Sequence, residues 1–450
     1  MNDAVGYAVS GASPESLEHF ETACDELRCF YRDPVATVDR ALAASPELVM
    51  GYALKAWLHL LGTEPAGIHV ARECHRAGAA LPANDRERRH LEAVRLLAEG
   101  HWHAAGRALE DLSIAYPLDS LALQAGHQID FFTGQTRMLR DRIARALPAW
   151  STSAPAYHAL LGMHAFGLEE CGNYAAAEST GRRAVETQPR DSWAQHAVAH
   201  VLEMQGRQRD GIAWMRTEPR AWAEESFFAA HNWWHVALYH LDLNEVDAAL
   251  EIFDGPVFGK QSSIVLDMVD ASALLWRLHL RGVPLADRWE KLARNWFAVN
   301  SSGSYAFNDF HQMMALVGAG RLAAADELLA AQAAASERDD DNSRFTRDVG
   351  LPACRAVRAF ADGRYGEVVQ LLRPVRSIAH RFGGSHAQRD LIDLTLFEAA
   401  LRGGEGSLAA ALSAERIALK PASPFARLVG ERAGLGAPGA AKEGRVKRTG

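Results

Sequence analysis

Four histidines in the middle of the chain have a spacing that suits metal binding or proton transfer on a helix. His196 and His200 form one pair four residues apart, and His231 and His235 form a second. Residues at this spacing lie on one face of a helix, one turn apart. The 19 histidines of the 450-residue chain would give about one such pair by chance. The pairs alone are therefore weak evidence for a functional site, and their positions in the fold must show whether they form one.

The residue types allow three interpretations, which the sequence leaves open. In the first, the histidines are polar groove residues or hydrogen-bonded core residues. In the second, the two pairs bind a divalent transition metal such as zinc or iron, with Glu203 beside them. In the third, a histidine with a pKa near neutrality transfers protons without a metal, next to Glu203 or Asp309. The His-Glu-x-x-His run of zinc metalloproteases is absent from the sequence.

Short breaks at near-constant spacing divide the chain into helical units. Alanine and leucine recur every three or four residues between the breaks, which predicts helices. A glycine or asparagine stands at each break, where a left-handed residue ends a helix at little cost. Consecutive breaks lie 34 to 43 residues apart. The breaks are Gly100, Gly134, Gly172, Gly206, Asn244, Gly282, Gly320, Gly363 and Gly403.

Small residues recur at fixed offsets from these breaks. Two helices of a hairpin approach closely only where their side chains are small. Pro117 and Pro189 each follow a break glycine by 17 residues. Together these offsets form the tetratricopeptide (TPR) pattern, which predicts an all-α, TPR-like α-solenoid, a superhelix of antiparallel helical hairpins. The small residues are Ala105, Ala177, Gly211, Ala249 and Ala325 after the breaks, and Ala93, Ala165, Ala199, Ala237 and Ala356 before them.

The repeats also set the expected domain organisation. Residues 86–432 are predicted to be TPR-like repeats, continuous with an N-terminal helical region at residues 1–85 whose register is not fixed. Residues 433–450 are predicted to be a disordered basic tail, since lysine and arginine stand there among glycine and alanine.

The TPR register places the first histidine pair on the inner surface of the solenoid. The first helix of each TPR hairpin lines the concave face, and positions 2, 5, 9 and 12 point inward when the break is position 15. His196, His200 and Glu203 occupy positions 5, 9 and 12 of one unit.

Two further units add histidines to the same predicted groove. His231 and His235 fall at positions 2 and 6 of the next unit, and His311 at position 6 of a later one, two residues after Asp309. We therefore expect histidines from three hairpins to face one hollow. The candidate catalytic residues are His200, Glu203, His235, Asp309 and His311, and the candidate metal ligands are His196, His200, His231 and His235.

Composition excludes several classes of function. The net charge of −8, with no basic cluster before the tail, argues against nucleic acid as a partner. No apolar run approaches the roughly 18 residues of a membrane-spanning helix. Five scattered cysteines and an N-terminus without a basic flank or apolar run favour the cytoplasm.

Several sequence blocks resemble the tetratricopeptide repeat protein 38 family, over about residues 46–428. The resemblance implies a cytosolic solenoid and no established activity. Gln388, Arg389 and Asp390 fit the family pattern, whereas His386 stands where the family usually has asparagine. The blocks are His196-Ala197-Val198-Ala199-His200-Val201-Leu202-Glu203-Met204, His231-Asn232-Trp233-Trp234-His235, Asn308-Asp309-Phe310-His311, Asp348-Val349-Gly350-Leu351-Pro352 and Gly383-Gly384-Ser385-His386-Ala387-Gln388-Arg389-Asp390.

The sequence favours a protein that binds a small molecule or a short peptide in a concave groove lined by histidine and carboxylate. An enzyme of hydrolase or lyase type, metal-dependent or not and acting on a small amide or amino-acid-like substrate, is the alternative. A protein-interaction scaffold is the second alternative. The candidate ligand-binding residues are His196, His231, Asn232, Trp234, Asn308, Gln388, Arg389 and Asp390.

Overall fold

A computed structural model describes residues 1–435, which fold almost entirely into helices. These residues contain two isolated β-bridges and no strand. The α-helices are α1 Pro14–Cys29, α2 Pro34–Ala44, α3 Val49–Leu60, α4 Pro65–Ala79, α5 Asp85–Ala98, α6 Trp102–Ala115, α7 Ser120–Phe132, α8 Thr136–Ala146, α9 Tyr157–Glu170, α10 Tyr174–Thr187, α11 Ser192–Met204, α12 Gln208–Thr217, α13 Pro219–Ala223, α14 Ala229–Asp242, α15 Val246–Ile252, α16 Val265–Leu280, α17 Ala286–Val299, α18 Ala306–Gly318, α19 Leu322–Ala335, α20 Asp341–Phe345, α21 Leu351–Ala361, α22 Tyr365–Val375, α23 His386–Arg402, α24 Gly406–Leu419 and α25 Pro424–Arg432. Short 3₁₀ turns lie at Leu147–Ala149 and Ala379–Phe382, and single π turns at Phe253–Val257 and Thr346–Gly350.

Successive helices pack as antiparallel pairs, among them α5 with α6, α9 with α10 and α21 with α22. The residue that turns the chain has a left-handed φ at eight of the nine predicted breaks, including Gly100 (φ 89°) and Asn244 (φ 62°). At the ninth the left-handed residue is Gly404 (φ 77°), one position after Gly403. The prediction of an all-α, TPR-like solenoid is confirmed. In the N-terminal region α1 packs on α2 and α3 on α4, so the same hairpin stacking begins there.

The predicted small residues lie in the buried interior, and Gly211 lies where helices of consecutive hairpins touch. Ala105, Ala177, Ala249 and Ala325 are fully buried. At Gly211 of α12 an added Cβ would lie 2.3 Å from the ring of Tyr239 on α14. The close approach of helices therefore explains why small residues recur at fixed offsets from the breaks.

The superhelix folds back on itself, so early and late hairpins are in contact. The Asn308 amide on α18 donates to the Thr63 hydroxyl after α3 (3.0 Å). The hydroxyl of Tyr305 lies 2.8 Å from the carbonyl oxygen of Phe132 at the end of α7. Trp276 Nε1 on α16 donates to the Thr395 hydroxyl on α23 (2.9 Å). The inner face is consequently packed with the chain's own side chains over much of its length, rather than open as a groove.

No helix in the described part of the chain is both long enough and apolar enough to cross a bilayer. Residues 436–450, most of the predicted basic tail, lie outside the described residues.

Substitution Gly211→Ala tests the close packing of the hairpins. The ring of Tyr239 cannot easily move away, because its hydroxyl donates to the carbonyl oxygen of Ala199 (2.6 Å). We expect a loss of about 1–3 kcal/mol in unfolding free energy, measured by urea denaturation. Gly366→Ala on α22 is the control, since no atom lies within 4 Å of its added Cβ. It should be neutral or stabilising, and equal losses for the two variants would contradict this packing.

Candidate metal centre

The two histidine pairs lie on first helices of consecutive hairpins and face each other. Helix α11 carries His196 and His200, and α14 carries His231 and His235. The ring centroids of contacting pairs lie 4.3 to 5.0 Å apart. One ring nitrogen from each residue lies within 4.8 Å of those of the other three. The structure thus brings together all four histidines that the sequence suggested as metal ligands.

Hydrogen bonds at the start of α11 fix this arrangement. The Asp191 carboxylate caps α11 by accepting from the backbone N–H of Ala194 (2.8 Å). Asn232 Nδ2 on α14 donates to the carbonyl oxygen of Ser192 (3.2 Å). Asn232, a predicted ligand-binding residue, therefore holds α14 against α11.

Two carboxylates orient two of the imidazoles. Asp270 on α16 accepts from Nδ1–H of His231 (2.9 Å), and Glu203 on α11 accepts from Nδ1–H of His235 (3.0 Å). A carboxylate bound at Nδ1 leaves Nε2 as the free electron-pair donor. Metal-binding histidines commonly have this carboxylate–imidazole pairing.

The remaining ring nitrogens point to a shared ligand. Nε2 of His231 lies 3.0 Å from Nε2 of His196, a hydrogen-bond distance that is also close to the separation of two nitrogens that each bind one ion at about 2.0–2.1 Å. Within residues 1–435, Nε2 of His235 and both ring nitrogens of His200 are buried without a hydrogen-bond partner. Such unpartnered polar atoms cost about 1–3 kcal/mol each. A metal ion among the rings would satisfy the nitrogens that face it.

A third carboxylate, Glu169 on α9, lies behind His200. Its Oε2 is 3.6 Å from Nδ1 of His200, and neither of its oxygens has a hydrogen-bond partner. Burial, then the negative charges of Glu170 and Glu203, raise the pKa of Glu169 well above its ordinary value. A nearby cation would stabilise the ionised form of Glu169.

The imidazoles are in the form that binds metals. Burial lowers the pKa of His196, His200 and His235 below the ordinary 6.5, and for the first two the neighbouring imidazoles lower it further. These three rings are therefore neutral at pH 7, and each offers a lone pair.

One carboxylate that contacts the cluster has no cationic side chain beside it. Burial alone would raise the pKa of Glu203, but Lys420 and His235 outweigh it, and the pKa falls to about 2. Lys420 Nζ lies 3.6 Å from Glu203. Within residues 1–435, Asp270 has no ion pair with lysine or arginine. A divalent cation would supply positive charge next to Asp270.

A cavity of about 220 Å³ opens on one side of the cluster. His196, His200 and His231 line it, whereas His235 does not. The other walls are mainly apolar, and the polar ones besides the histidines are Gln128, Asp267, Asp270, Ser385 and Gln388. The cluster therefore has one face against protein and one face toward a space that a small molecule can occupy.

Asp309 and His311 lie outside the histidine centre. Asp309 accepts from the backbone N–H of Gly303 (3.0 Å) and from the Gln332 amide (3.3 Å), and burial raises its pKa to about 7. His311 Nδ1 donates to the carbonyl oxygen of Phe307 one turn earlier (2.8 Å). Both side chains bond locally, within α18 and its immediate neighbours, so these two catalytic candidates do not meet the other histidines.

Trp234 has a different role from the ligand-binding one that the sequence suggested. It is fully buried and stacks on His231, with centroids 5.3 Å apart, while the Arg277 guanidinium lies 5.3 Å from its ring centroid. It supports an imidazole and does not line the cavity. Trp193, which is also buried, forms part of the cavity wall.

Of the remaining ligand-binding candidates, only Gln388 reaches the cavity. Its amide oxygen also accepts from the backbone N–H of Ser385 (3.0 Å), which caps α23. Asn308 is used in the contact with Thr63.

Arg389 and Asp390 connect helices instead of facing the cavity. Arg389 lies 3.5 Å from Glu170 on α9, and the backbone N–H of His386 donates to the same carboxylate (3.1 Å). Asp390 accepts two hydrogen bonds from Arg416 on α24 (2.8 and 3.0 Å). Arg389 and Asp390 thus form two separate ion pairs that join α23 to α9 and to α24.

Sequence reasoning missed two of the three carboxylates. Glu169 occupies position 12 of the unit that ends at Gly172, the inward position that Glu203 holds in the next unit, so the register contained a signal for it. Asp270 lies at position 3 of a third unit, which the register does not mark as inward.

No family model matches this chain. Among solved structures, it is similar to the crystal structure of the P58(IPK) TPR domain at 2.5 Å, with 13% identity and a TM-score of 0.19, over 87% of this chain and 98% of that one. A likeness at this level carries no weight for fold or function, and the fold assignment rests on the hairpins described above.

The lowered histidine pKa values predict how stability depends on pH in metal-free protein. The unfolded chain takes up protons near pH 6.5, whereas the buried His196, His200 and His235 do not, so stability is lost as pH falls below 6.5. Each histidine contributes a slope of at most about 1.4 kcal/mol per pH unit.

Urea denaturation between pH 7.5 and 5 measures this slope. Replacing His200 by glutamine should reduce the slope of unfolding free energy against pH by up to about 1.4 kcal/mol per pH unit. Exposed His101→Gln should leave it unchanged. An identical slope in wild type and His200→Gln would show that His200 titrates normally in the folded protein.

Proposed function

We propose that the protein is a metalloprotein in which His196, His200, His231 and His235 bind one divalent transition metal ion next to a small-molecule cavity. The observation that carries this proposal is the convergence of four imidazoles, three of them buried, in which four of the eight ring nitrogens have no hydrogen-bond partner within residues 1–435. Imidazole ligands suit zinc, iron, copper and nickel, and disfavour magnesium and calcium.

The surrounding carboxylates support a bound cation over a purely structural cluster. Four neutral imidazoles would leave an ion with its full double charge. Asp270 and Glu203 hold two of the rings through Nδ1, and Glu169 adds a third carboxyl behind the cluster. A structural histidine core would need its polar atoms satisfied by protein, and here several are not.

The same geometry supports an enzyme as the second candidate. Catalytic metal sites keep a coordination position open to substrate, whereas structural sites are closed. Three of the four histidines line the cavity, so a molecule there would reach the ion as a fifth ligand beside the four imidazoles. A bound ion would supply Lewis-acid chemistry, and the protein would orient the molecule and exclude water.

The TPR-like fold also suits a protein-interaction scaffold, since stacked hairpins expose large surfaces. We further infer a cytoplasmic location, because Cys24, Cys29, Cys74, Cys171 and Cys354 are all unpaired thiols. Membership of the tetratricopeptide repeat protein 38 family is a proposal that rests on the sequence blocks alone.

Metal content tests the proposal. Purified protein reconstituted with Co²⁺ or Zn²⁺ should hold about one equivalent by elemental analysis, and the double variant His200→Ala/His235→Ala should hold none. Asp270→Asn keeps all four ligands and should weaken binding by about 10- to 100-fold, because the orientation of His231 is lost.

His240→Gln is the matched control. His240 lies on α14 like the second pair, but its Nδ1 contacts Glu245 and it does not belong to the cluster. It should bind metal as wild type does. Less than about a tenth of an equivalent in the wild type after reconstitution, or full binding by the double variant, would exclude the metal centre.

A further inference from the structure

The chemistry of the cavity beside the histidines restricts what it can hold. Its charged lining residues are Asp267 and Asp270, which are both acidic, and none of the lining residues is lysine or arginine. An amino acid or a peptide end brings a carboxylate, which needs a cationic or N–H partner when it leaves water. Away from the proposed metal ion, the cavity walls therefore do not favour an anionic group.

The walls of the cavity favour an apolar ligand. Side chains such as Leu58, Phe131 and Phe228 surround the space. An apolar cavity of about 150 Å³ is enough for benzene, so the 220 Å³ here accommodates one ring with a short substituent or a chain of similar size.

The entrance is apolar as well. Phe227, before α14, is 39% exposed, and Ile264 and Leu266, at the start of α16, are 46% and 37% exposed. All three line the cavity. Large apolar side chains grouped at the rim of a pocket are typical of a binding site for apolar ligands.

We propose that the cavity binds a neutral, largely apolar small molecule that presents one oxygen or nitrogen atom to the histidine centre. This inference rests on the proposed metal centre for the donor end of the ligand. The apolar end is held by the walls and rim, which exist with or without the metal. Asp267, one turn before Asp270 on α16, lies at the cavity as a polar group that disfavours anions.

Cobalt-loaded protein allows a direct test with three probes that share one metal-binding group. We expect 4-phenylimidazole to shift the visible cobalt bands at a concentration at least tenfold lower than imidazole, because its ring is buried in the cavity. The anionic analogue 4-(imidazol-4-yl)benzoate should bind at least tenfold more weakly than 4-phenylimidazole. Equal affinities for all three probes would overturn the inference while leaving the metal centre intact.

A rim variant separates the cavity from the metal. Leu266→Glu should weaken 4-phenylimidazole by tenfold or more and leave imidazole unchanged. Phe297→Glu is the control, because Phe297 is an exposed apolar residue (66%) that does not line the cavity. Full 4-phenylimidazole affinity in Leu266→Glu would overturn the proposed binding mode.

A metal-free readout distinguishes the two proposals. If no cobalt bands form, the metal centre fails and with it the donor end of the ligand. Toluene, one ring with a short substituent, then tests the apolar cavity alone by titration calorimetry. It should bind wild-type protein at least tenfold more tightly than it binds Leu266→Glu, and no difference between the two proteins would reject the cavity as well.

Discussion

Buried polar atoms must find a partner, and at the centre of this protein several have none within residues 1–435. Four imidazoles lie with ring centroids 4.3 to 5.0 Å apart where contacts exist, and both nitrogens of His200 and Nε2 of His235 are unpartnered there. The nearby Asp270 carboxylate has no lysine or arginine ion pair in the same residues. One divalent cation removes both deficits, because it accepts lone pairs and supplies positive charge.

The superhelix is what makes such a centre stable. The histidines and Glu203 come from α11 and α14, but Asp270 and Glu169 come from α16 and α9. The cavity beside them reaches residues of α1, α3 and α23. Contacts between distant hairpins, such as Tyr305 with Phe132 and Trp276 with Thr395, keep these elements in place. An open solenoid would expose the histidines to water and lose the apolar walls.

The helical repeat, the four histidines and Glu203 could be predicted from the sequence, because each follows from a local requirement of helix geometry. Helical turns need glycine or asparagine and close helix packing needs small residues, so Gly172 and Ala177 mark a hairpin without any structure. The register then placed His196 and His200 on the inner face. The register wrongly predicted that His311 joins the other histidines. It indicates the face of the helix on which a side chain lies, but it does not show the hydrogen bond to Phe307 that holds this ring against its own helix. Folding back of the superhelix is a long-range property that no local pattern encodes.

X-ray absorption at the metal edge of reconstituted protein tests the central claim most directly. Four imidazoles predict a first shell of nitrogen at about 2.0–2.1 Å for zinc, with the outer-shell scattering of about four imidazole rings and no sulfur. The His240→Gln protein should give the same spectrum. A first shell dominated by oxygen, or a spectrum with one imidazole or none, would contradict the account, since the ion would then sit elsewhere on the protein.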